Sequence, residues 1–268
     1  MEISGKVFVV TGGGNGIGRE VVLAILGRGG RVAAVDVSAA GLDQTVALAG
    51  VEPARLSTHA VDLTDRARVE ALRDEVVAAH DQVDGLLNVA GIIQQFVRVD
   101  ELSYEEIERV FAVNFWGVVH TCKTFLPVLR ARPEASIVNV SSMGALVPVP
   151  GQSAYGASKA AVKLFTEGLY AELQGTSVAV TVVFPGGVAT NIAQNSGARI
   201  PGGGASSSKA ATSLTAAPVA AQKIVDAMAK GAYRITIGRD ATMVDRLSRL
   251  SPKRATKLIA SKMKSLLA

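Results

Sequence analysis

The sequence predicts an α/β fold, a single Rossmann-type doubly wound parallel sheet of about seven strands with helices on both faces. Three observations carry this prediction. Short apolar runs alternate with helical patterns, a glycine-rich loop follows the first run, and polar residues stand just beyond the ends of several runs. Because such sheets bind ligands beyond the carboxyl ends of their strands, the same pattern predicts one functional site there.

Length and composition favour one domain over residues 1–268. Hydrophobic residues make up 49% of the chain and aromatic residues 4%, so aliphatic side chains should form the core. The single cysteine excludes an internal disulfide, and three widely separated histidines give no metal-ligand spacing, so no metal is expected. No signal peptide precedes the first strand and no apolar run approaches the roughly 20 residues that span a bilayer, so we expect a cytoplasmic protein.

The predicted strands are residues 7–10, 31–36, 56–61, 85–88, 136–140, 178–183 and 234–237. Helical patterns separate them, including one long helix over residues 104–130. Asn114 lies in the apolar middle of that helix. A buried asparagine needs hydrogen-bond partners, so Asn114 is either a structural clamp or a functional group.

The loop after the first strand reads Thr-Gly-Gly-Gly-Asn-Gly-Ile-Gly over residues 11–18. Strand, glycine loop and helix in this order are the context of a dinucleotide site. Glycines let the backbone turn sharply and approach a pyrophosphate, which then rests on the helix N-terminus. A glycine-rich loop alone is weak evidence, since many are only turns.

An acidic residue, Asp36, ends the second predicted strand. A carboxylate about 20 residues after the glycine loop hydrogen-bonds the adenosine ribose hydroxyls and repels a 2′-phosphate. Val37 follows where an arginine could have bound that phosphate. The pattern favours NAD over NADP. The alternative is that Asp36 only caps the helix that begins near Ala39.

Tyr155 and Lys159 lie four residues apart, on one face of a predicted helix. A tyrosine normally titrates near pH 10 (roughly), and a neighbouring ammonium group favours its phenolate, which makes it a usable proton-transfer group. The same spacing occurs by chance in many helices as an exposed pair. In this sequence the other motifs favour a catalytic pair over a chance one.

With these residues, the chain resembles the short-chain dehydrogenase/reductase family over residues 6–191. The thirteen-residue step to Tyr155 selects Ser142 over Ser141 for the family's serine. The family's catalytic tetrad then falls on Asn114, Ser142, Tyr155 and Lys159. Two departures stand out, because Val89 replaces the family's second asparagine and the frequent closing glycine pair is absent.

The resemblance implies that hydride passes between nicotinamide and a substrate carbinol carbon. Tyr155 would exchange the alcohol proton, Lys159 would lower the pKa of Tyr155, and Ser142 would bind the substrate oxygen. Asn114 would hold a water on the proton path. The implied NAD contacts are Gly12, Asn15, Gly16, Ile17, Gly18, Asp36, Asp62, Leu63, Asn88, Ala90, Gly91, Tyr155, Lys159, Pro185, Gly186, Val188 and Thr190.

The resemblance also implies a homodimer or homotetramer, formed through the helices that carry Asn114 and Tyr155. Apolar residues after the fourth and fifth strands favour an uncharged secondary alcohol or ketone, lipid- or steroid-like. The Gly-, Ser- and Ala-rich residues 191–217 are expected to form a mobile substrate loop, acting as a lid or only as a surface loop.

The C-terminal residues, about 241–268, form a basic amphipathic helical tail. Its apolar stripe should pack on its own domain or on a sister subunit. Peripheral contact with an anionic membrane is the less favoured alternative, and no nucleic-acid partner is expected.

Three other functions stay open. One is an NADP(H)-dependent ketone reductase, and another is a non-catalytic NAD-binding sensor or scaffold, against which the complete tetrad argues. A sugar-nucleotide epimerase or dehydratase ranks lower, since the chain leaves little room for a larger substrate domain.

Overall fold

A computed structural model describes residues 1–199 and 214–267 and confirms the predicted fold class. Seven strands form one parallel sheet in the order β3-β2-β1-β4-β5-β6-β9. In chain order they are β1 (Val7–Thr11), β2 (Arg31–Asp36), β3 (Leu56–Ala60), β4 (Gly85–Asn88), β5 (Ala135–Val140), β6 (Val178–Pro185) and β9 (Arg234–Ile237).

Helices cover both faces of this sheet. They are α1 (Gly16–Gly27), α2 (Ala39–Ala49), α3 (Arg66–His80), α4 (Tyr104–Phe111), α5 (Gly117–Arg130), α6 (Ser153–Glu172), α7 (Ile192–Asn195), α8 (Ala217–Ala229), α9 (Arg239–Leu250) and α10 (Pro252–Lys262). Successive strand residues point to opposite faces, so Val9 packs in the core under α3, α5 and α6, while Val10 packs under α1 and α8.

Strand register brings the carboxyl ends of the strands to one edge of the sheet. Thr11 pairs with Asn88, and Asn88 pairs with Asn139 on the next strand. Val140 pairs with Val183 in the same way. The glycine loop, the segment after β4 and the serines after β5 therefore meet at this edge, as the sequence predicts for a ligand site.

The long helix predicted over residues 104–130 is not a single α-helix. Helices α4 and α5 are joined by a π-helical turn over Ala112–Trp116, and Asn114 lies in that turn. A π turn inserts one extra residue into the helical ring and is frequent at functional sites. The periodicity of apolar residues predicted the extent of the helix, but a single inserted residue does not change that pattern enough to be detected.

The basic tail is two helices instead of one, because Pro252 lacks an N–H group and ends the helical pattern of α9. Val244, Ala255 and Ile259 pack against Val147 of the same chain, while the lysines and arginines of α10 face outward. The tail therefore packs on its own domain, the first of the expected alternatives. In the described part of the chain, none of the helices has the length and apolar character needed to cross a bilayer.

Only the ends of the predicted substrate loop can be compared with the structure. Residues 200–213 lie outside the described residues, so the lid stays a prediction. On either side of them, β7 (Val188–Ala189) and β8 (Thr215–Ala216) form a small parallel sheet that the sequence did not predict.

Candidate active site

The glycine loop after β1 is shaped by positions that accept no side chain. Gly12 has φ +72°, and a Cβ there would lie 3.0 Å from the backbone of Ala90. A Cβ on Gly18 would overlap the carbonyl of Gly12. The Asn15 side chain caps α1 by accepting a hydrogen bond from Gly16 N at 2.6 Å. The loop therefore leads the chain tightly into a helix N-terminus, where backbone N–H groups attract anions.

Asp36 lies directly against this loop. Its Oδ2 accepts a hydrogen bond from Gly14 N at 2.9 Å, and its Oδ1 accepts one from Ser38 N at 2.9 Å. The alternative that Asp36 caps the next helix is wrong, because Ser38 caps α2 through Gly41 N. The carboxylate thus lies beside the glycine loop, and Val37 is 73% exposed.

The segment after β3 offers an exposed acid and a buried leucine. Asp62 Oδ1 accepts hydrogen bonds from Thr64 N at 2.9 Å and from the Thr64 hydroxyl at 2.8 Å, which fixes its carboxylate in a turn. Leu63 is buried, and its carbonyl contacts a ring nitrogen of His120 at 2.9 Å. Both remain predicted contacts on the adenine side.

Asn88 requires a correction, because its side chain points into the protein. It is 2% exposed and donates to Asn139 Oδ1 at 2.8 Å, while its own Oδ1 accepts from the Thr121 hydroxyl at 2.8 Å. The amide therefore ties β4 to β5 and α5 and does not reach the cavity. The neighbouring turn is held by Thr11, whose hydroxyl accepts from Val89 N at 3.0 Å and from the following N–H.

Lys159 is buried beside the end of β5. It is 3% exposed, and its Nζ donates to the carbonyl of Val140 at 3.1 Å. A Cβ on Gly91 would lie 3.0 Å from the same nitrogen, so the glycine makes room for the ammonium group. Burial lowers the pKa of Lys159 to about 8 from an ordinary 10.5, because a charged amine is poorly solvated there.

Asn114 acts as a clamp. Its Oδ1 accepts from Ile92 N at 2.9 Å, and its Nδ2 donates to Ile92 O at 2.9 Å and to the Ser158 hydroxyl at 3.0 Å. Ser158 in turn donates to the carbonyl of Tyr155 at 2.8 Å. These bonds show that the side chain is a structural clamp, and the water on the proton path stays a prediction. The side chain joins the segment after β4 to α6.

The side chains of Ser142 and Tyr155 lie close to one another in the candidate site. Ser142 Oγ accepts from Gly144 N at 3.0 Å, which fixes the turn after β5. The protein surrounds the phenol of Tyr155 closely enough that burial raises its pKa, and hydrogen bonding to the Ser142 hydroxyl opposes this shift only in part. The expected lowering of the Tyr155 pKa by Lys159 is therefore not found, because desolvation of the phenolate outweighs the other effects.

These groups share a cavity of about 150 Å³ at the carboxyl edge of the sheet. Its lining consists of Ile17, Val89, Gly91, Ile93, Val140, Ser141, Ser142, Tyr155, Lys159, Pro185, Gly186, Val188, Thr190 and Ile192. A larger cavity of about 370 Å³ lies at the opposite edge, around Glu134 and Tyr170, and its lining includes none of the tetrad. The smaller cavity is the candidate active site, because its lining joins Ile17 of the glycine loop to the tyrosine–lysine pair.

One functional contact was not predicted. Asp240, in the first turn of α9, accepts a hydrogen bond from Gly187 N at 2.8 Å. A Cβ on Gly186 would overlap its carboxylate, so the paired glycines make room for this side chain. An acid in the first turn of a helix is common, and nothing in its spacing pointed to the segment after β6.

The described residues bring together no group of three or more His, Cys, Asp or Glu side chains suited to a metal ion.

A family model described as short chain dehydrogenase matches residues 6–200. The chain belongs to this family.

Two known proteins match this chain along nearly all of its length. SadH of Mycobacterium tuberculosis strain H37Rv, which is named as an oxidoreductase, is 39% identical over 264 residues, which cover 96% of this chain and 95% of SadH. A short chain dehydrogenase/reductase from Burkholderia phymatum in complex with NAD has a TM-score of 0.85 at 28% identity, covering 96% of this chain and 97% of that one.

A third relative binds the phosphorylated cofactor. The short chain dehydrogenase from Burkholderia cenocepacia in complex with NADP has a TM-score of 0.79 at 25% identity, covering 98% of this chain and 99% of that one. Closely similar folds therefore bind either NAD or NADP. Family membership gives this short-chain dehydrogenase an oxidoreductase chemistry with one of these cofactors and does not decide between them.

The buried ammonium of Lys159 should cost stability in a pH-dependent way. Its pKa is about 8 in the folded protein and 10.5 ordinarily, so between these values the unfolded chain binds more protons and stability rises with pH. Below pH 8 the full cost applies, about 3 kcal/mol at one unit per 1.4 kcal/mol. We expect Lys159→Met to raise the free energy of unfolding near pH 7 by roughly 1–3 kcal/mol, with the gain shrinking towards pH 10.

Denaturant unfolding across this pH range, without added nucleotide, measures the effect. Lys163→Met is the matched control, because that lysine is 28% exposed and pairs with Glu167 on the surface of the same helix. Its effect should stay within about 1 kcal/mol and be flat with pH. A loss of stability in Lys159→Met at every pH would mean that the ammonium group is stabilised where it lies.

Proposed function

We propose that this protein is an NAD(H)-dependent oxidoreductase that transfers hydride between nicotinamide and a secondary alcohol or ketone, with Tyr155 as general acid and base. One observation carries the proposal, the convergence of Ser142, Tyr155 and Lys159 in a cavity that also borders the glycine loop and the segment after β6. Membership of the short-chain dehydrogenase family supports the reaction class.

The glycine loop fits a dinucleotide, since Gly12 and Gly18 allow a tight turn into the N-terminus of α1 where side chains would collide with neighbouring backbone. Gly12, Asn15, Gly16, Ile17 and Gly18 would hold the pyrophosphate at the N-terminus of α1. Asp36 would accept hydrogen bonds from the ribose, and Val188 and Thr190 would hold the carboxamide. The proposed adenosine-side and nicotinamide-side contacts are Asp62, Leu63, Ala90, Gly91, Pro185 and Gly186. The bound cofactor would supply hydride exchange.

The protein's own groups would handle the proton. The Ser142 hydroxyl would bind the substrate oxygen and stabilise charge that develops on it. Tyr155 would donate its phenolic proton to a ketone oxygen or accept the proton of an alcohol. A tyrosine is ordinarily protonated at neutral pH, so ketone reduction, in which the phenol donates its proton, is the direction to assay first. The Lys159 ammonium would stabilise the phenolate left behind.

The walls of the cavity favour an apolar substrate. Ile93, Val140, Val188 and Ile192 contribute aliphatic surface. Within residues 1–199 and 214–267 no arginine lines this cavity, so a carboxylate or phosphate would find no bidentate partner there. An uncharged, lipid- or steroid-like ketone or secondary alcohol fits this surface best.

Self-association is part of the proposal. Trp116 is 52% exposed and Leu164 is 69% exposed. Between the helices that carry them, the Phe115 ring packs at 5.6 Å from the Trp116 ring and at 6.1 Å from that of Phe165, the residue after Leu164. Exposed apolar side chains on neighbouring helices beside the active site are typical of a subunit interface, here in a homodimer or homotetramer.

The first test of function is Tyr155→Phe. Without the hydroxyl no proton is exchanged with the substrate oxygen, so NADH-dependent reduction of cyclic and long-chain ketones should fall by about 10²–10⁴-fold. The dissociation constant of NADH should change little. Tyr104→Phe, a change at an 80% exposed tyrosine, is the control and should keep full activity. Near-normal turnover in Tyr155→Phe would refute the mechanism, and NADH binding without turnover of any ketone would favour the scaffold.

Cofactor preference tests Asp36. The wild type should bind NADH at least about tenfold more tightly than NADPH, a difference of about 1.4 kcal/mol, because the carboxylate repels a 2′-phosphate. Asp36→Asn keeps the side chain's shape and removes its charge, so this ratio should shrink. Asp43→Asn, an exposed change on α2, alters the net charge equally and should leave the ratio unchanged. Equal or tighter NADPH binding by the wild type would favour the NADP(H)-dependent alternative.

Leu164→Glu tests the interface, since a carboxylate placed in an apolar contact is costly to bury. Sedimentation velocity should show a dimer or tetramer for the wild type and a shift to smaller species for Leu164→Glu. Leu250→Glu is the matched control, because that leucine is 85% exposed on the tail, away from this surface. A monomeric wild type, or equal effects of both changes, would rule out the proposed interface.

A further inference from the structure

The segment after β4 carries a glutamine that the proposed chemistry does not use. Gln94 is fully buried, at 0% exposed, yet it does not line the active-site cavity. A buried polar side chain that faces away from the substrate needs a different explanation.

Gln94 faces the N-terminus of the helix that bears the tyrosine–lysine pair. Its Oε1 accepts a hydrogen bond from the backbone N of Tyr155 at 2.9 Å. Its carbonyl accepts one from Gln152 Nε2 at 2.8 Å. Two groups of a single residue therefore hold the first turn of α6, one at the helix start and one at the tyrosine itself.

These bonds fill a role that the helix does not fill for itself. The first backbone N–H groups of a helix have no intrahelical partner and are usually capped by a side chain at the N-cap position. In α6 that position is Gln152, and within the described residues it makes no side-chain cap to its own helix. Gln94 supplies the missing cap from a distant segment of the chain.

The arrangement has a cost that an ordinary cap would avoid. Gln94 Nε2 and Gln152 Oε1 are buried and have no hydrogen-bond partner in the described part of the chain. A buried polar group without a hydrogen-bond partner is unfavourable for folding. Rotating the Gln94 amide by half a turn would point an N–H group at the Tyr155 N–H, so the acceptor contact fixes the orientation. The Gln94 amide is therefore buried at a position where its oxygen forms a hydrogen bond and its nitrogen forms none.

The other side of Gln94 is also tied. Asn114 bonds both backbone groups of Ile92. Ile93 N donates to the Ser196 hydroxyl at 3.0 Å, and Gln95 Nε2 donates to Gly197 O at 2.6 Å. The segment is thus fixed between the π turn, the start of the predicted substrate loop and α6, and Gln94 transmits that position to Tyr155.

We propose that Gln94 is a positioning residue for Tyr155. Its side-chain oxygen holds the backbone of the tyrosine in the first turn of α6 and thereby sets the position of the phenol relative to Ser142 and the substrate oxygen. The proposal rests on the proposed function of Tyr155 as acid and base. Gln94 itself touches neither substrate nor cofactor.

The test compares Gln94→Met with Gln174→Met in the full-length protein. Methionine keeps the length of the side chain but removes the acceptor, so kcat for ketone reduction should fall about 10- to 100-fold, as for a small displacement of a catalytic group. KM and the dissociation constant of NADH should stay within about threefold of the wild type. Gln174 is exposed beyond the end of α6 and donates to Tyr170 O, so Gln174→Met should leave kcat unchanged.

Gln94→Glu tests rescue by a variant that keeps the acceptor, and its charge reports how close this side chain lies to the phenol. It keeps an oxygen acceptor for Tyr155 N, so kcat should recover to within about tenfold of the wild type. Its negative charge beside the tyrosine opposes the phenolate, so the pKa of Tyr155 should rise by about half a unit or more. Absorbance titration of tyrosinate, with Tyr155→Phe as the blank, measures this shift directly, and the pH profile of turnover should move with it.

The two hypotheses can fail separately. Wild-type kcat in Gln94→Met, or a kcat in Gln94→Glu as low as that of Gln94→Met, would overturn the positioning role. If the wild type turns over no ketone, the proposed function fails, while a shifted tyrosinate titration in Gln94→Glu would still support the contact between Gln94 and Tyr155.

Discussion

The burial of one ammonium group is the constraint around which this site is arranged. Lys159 lies in a water-poor position and meets a backbone carbonyl, that of Val140. No side chain at Gly91 competes for its space. Keeping a charge there is unfavourable for folding, as the depressed pKa of Lys159 shows. A fold retains such a group when the same low solvation strengthens its effect on a neighbouring reaction, since electrostatic interactions weaken in water.

The surrounding polar groups keep the helix of this lysine in one place. Asn114 joins the segment after β4 to Ser158, Gln94 joins the same segment to Tyr155 N, and the Ser141 hydroxyl donates to the carbonyl of Lys159 at 2.7 Å. Each bond links α6 to an element that also borders the cavity. Displacing any one of them would move the tyrosine and the lysine together, because both lie on the same rigid helix.

Periodicity predicted the sheet, because strand burial follows from apolar runs. Spacing indicated the tyrosine–lysine pair, and the resemblance to the family implied the other two members of the tetrad. The direction in which a side chain points does not follow from either kind of pattern. Asn88 stands in the predicted place and points inward, to Asn139. The partners of Gln94 and Asp240 are 61 and 53 residues away in sequence, so no local pattern reports them. The direction of the Tyr155 pKa shift depends on burial, which is a property of the packed molecule.

The C-terminal helices α9 and α10 also hold parts of the site in place. Asp240 fixes Gly187, next to the residues proposed to hold the carboxamide, and Val244 and Ile259 pack on Val147, five residues beyond Ser142. The tail therefore supports both the cofactor side and the serine side of the cavity through its apolar face. Its cations face outward because the opposite face is already used for packing. An amphipathic pattern alone does not distinguish this arrangement from a membrane-bound helix, and the distinction comes from where the buried alanine and isoleucine of α10 find their partners.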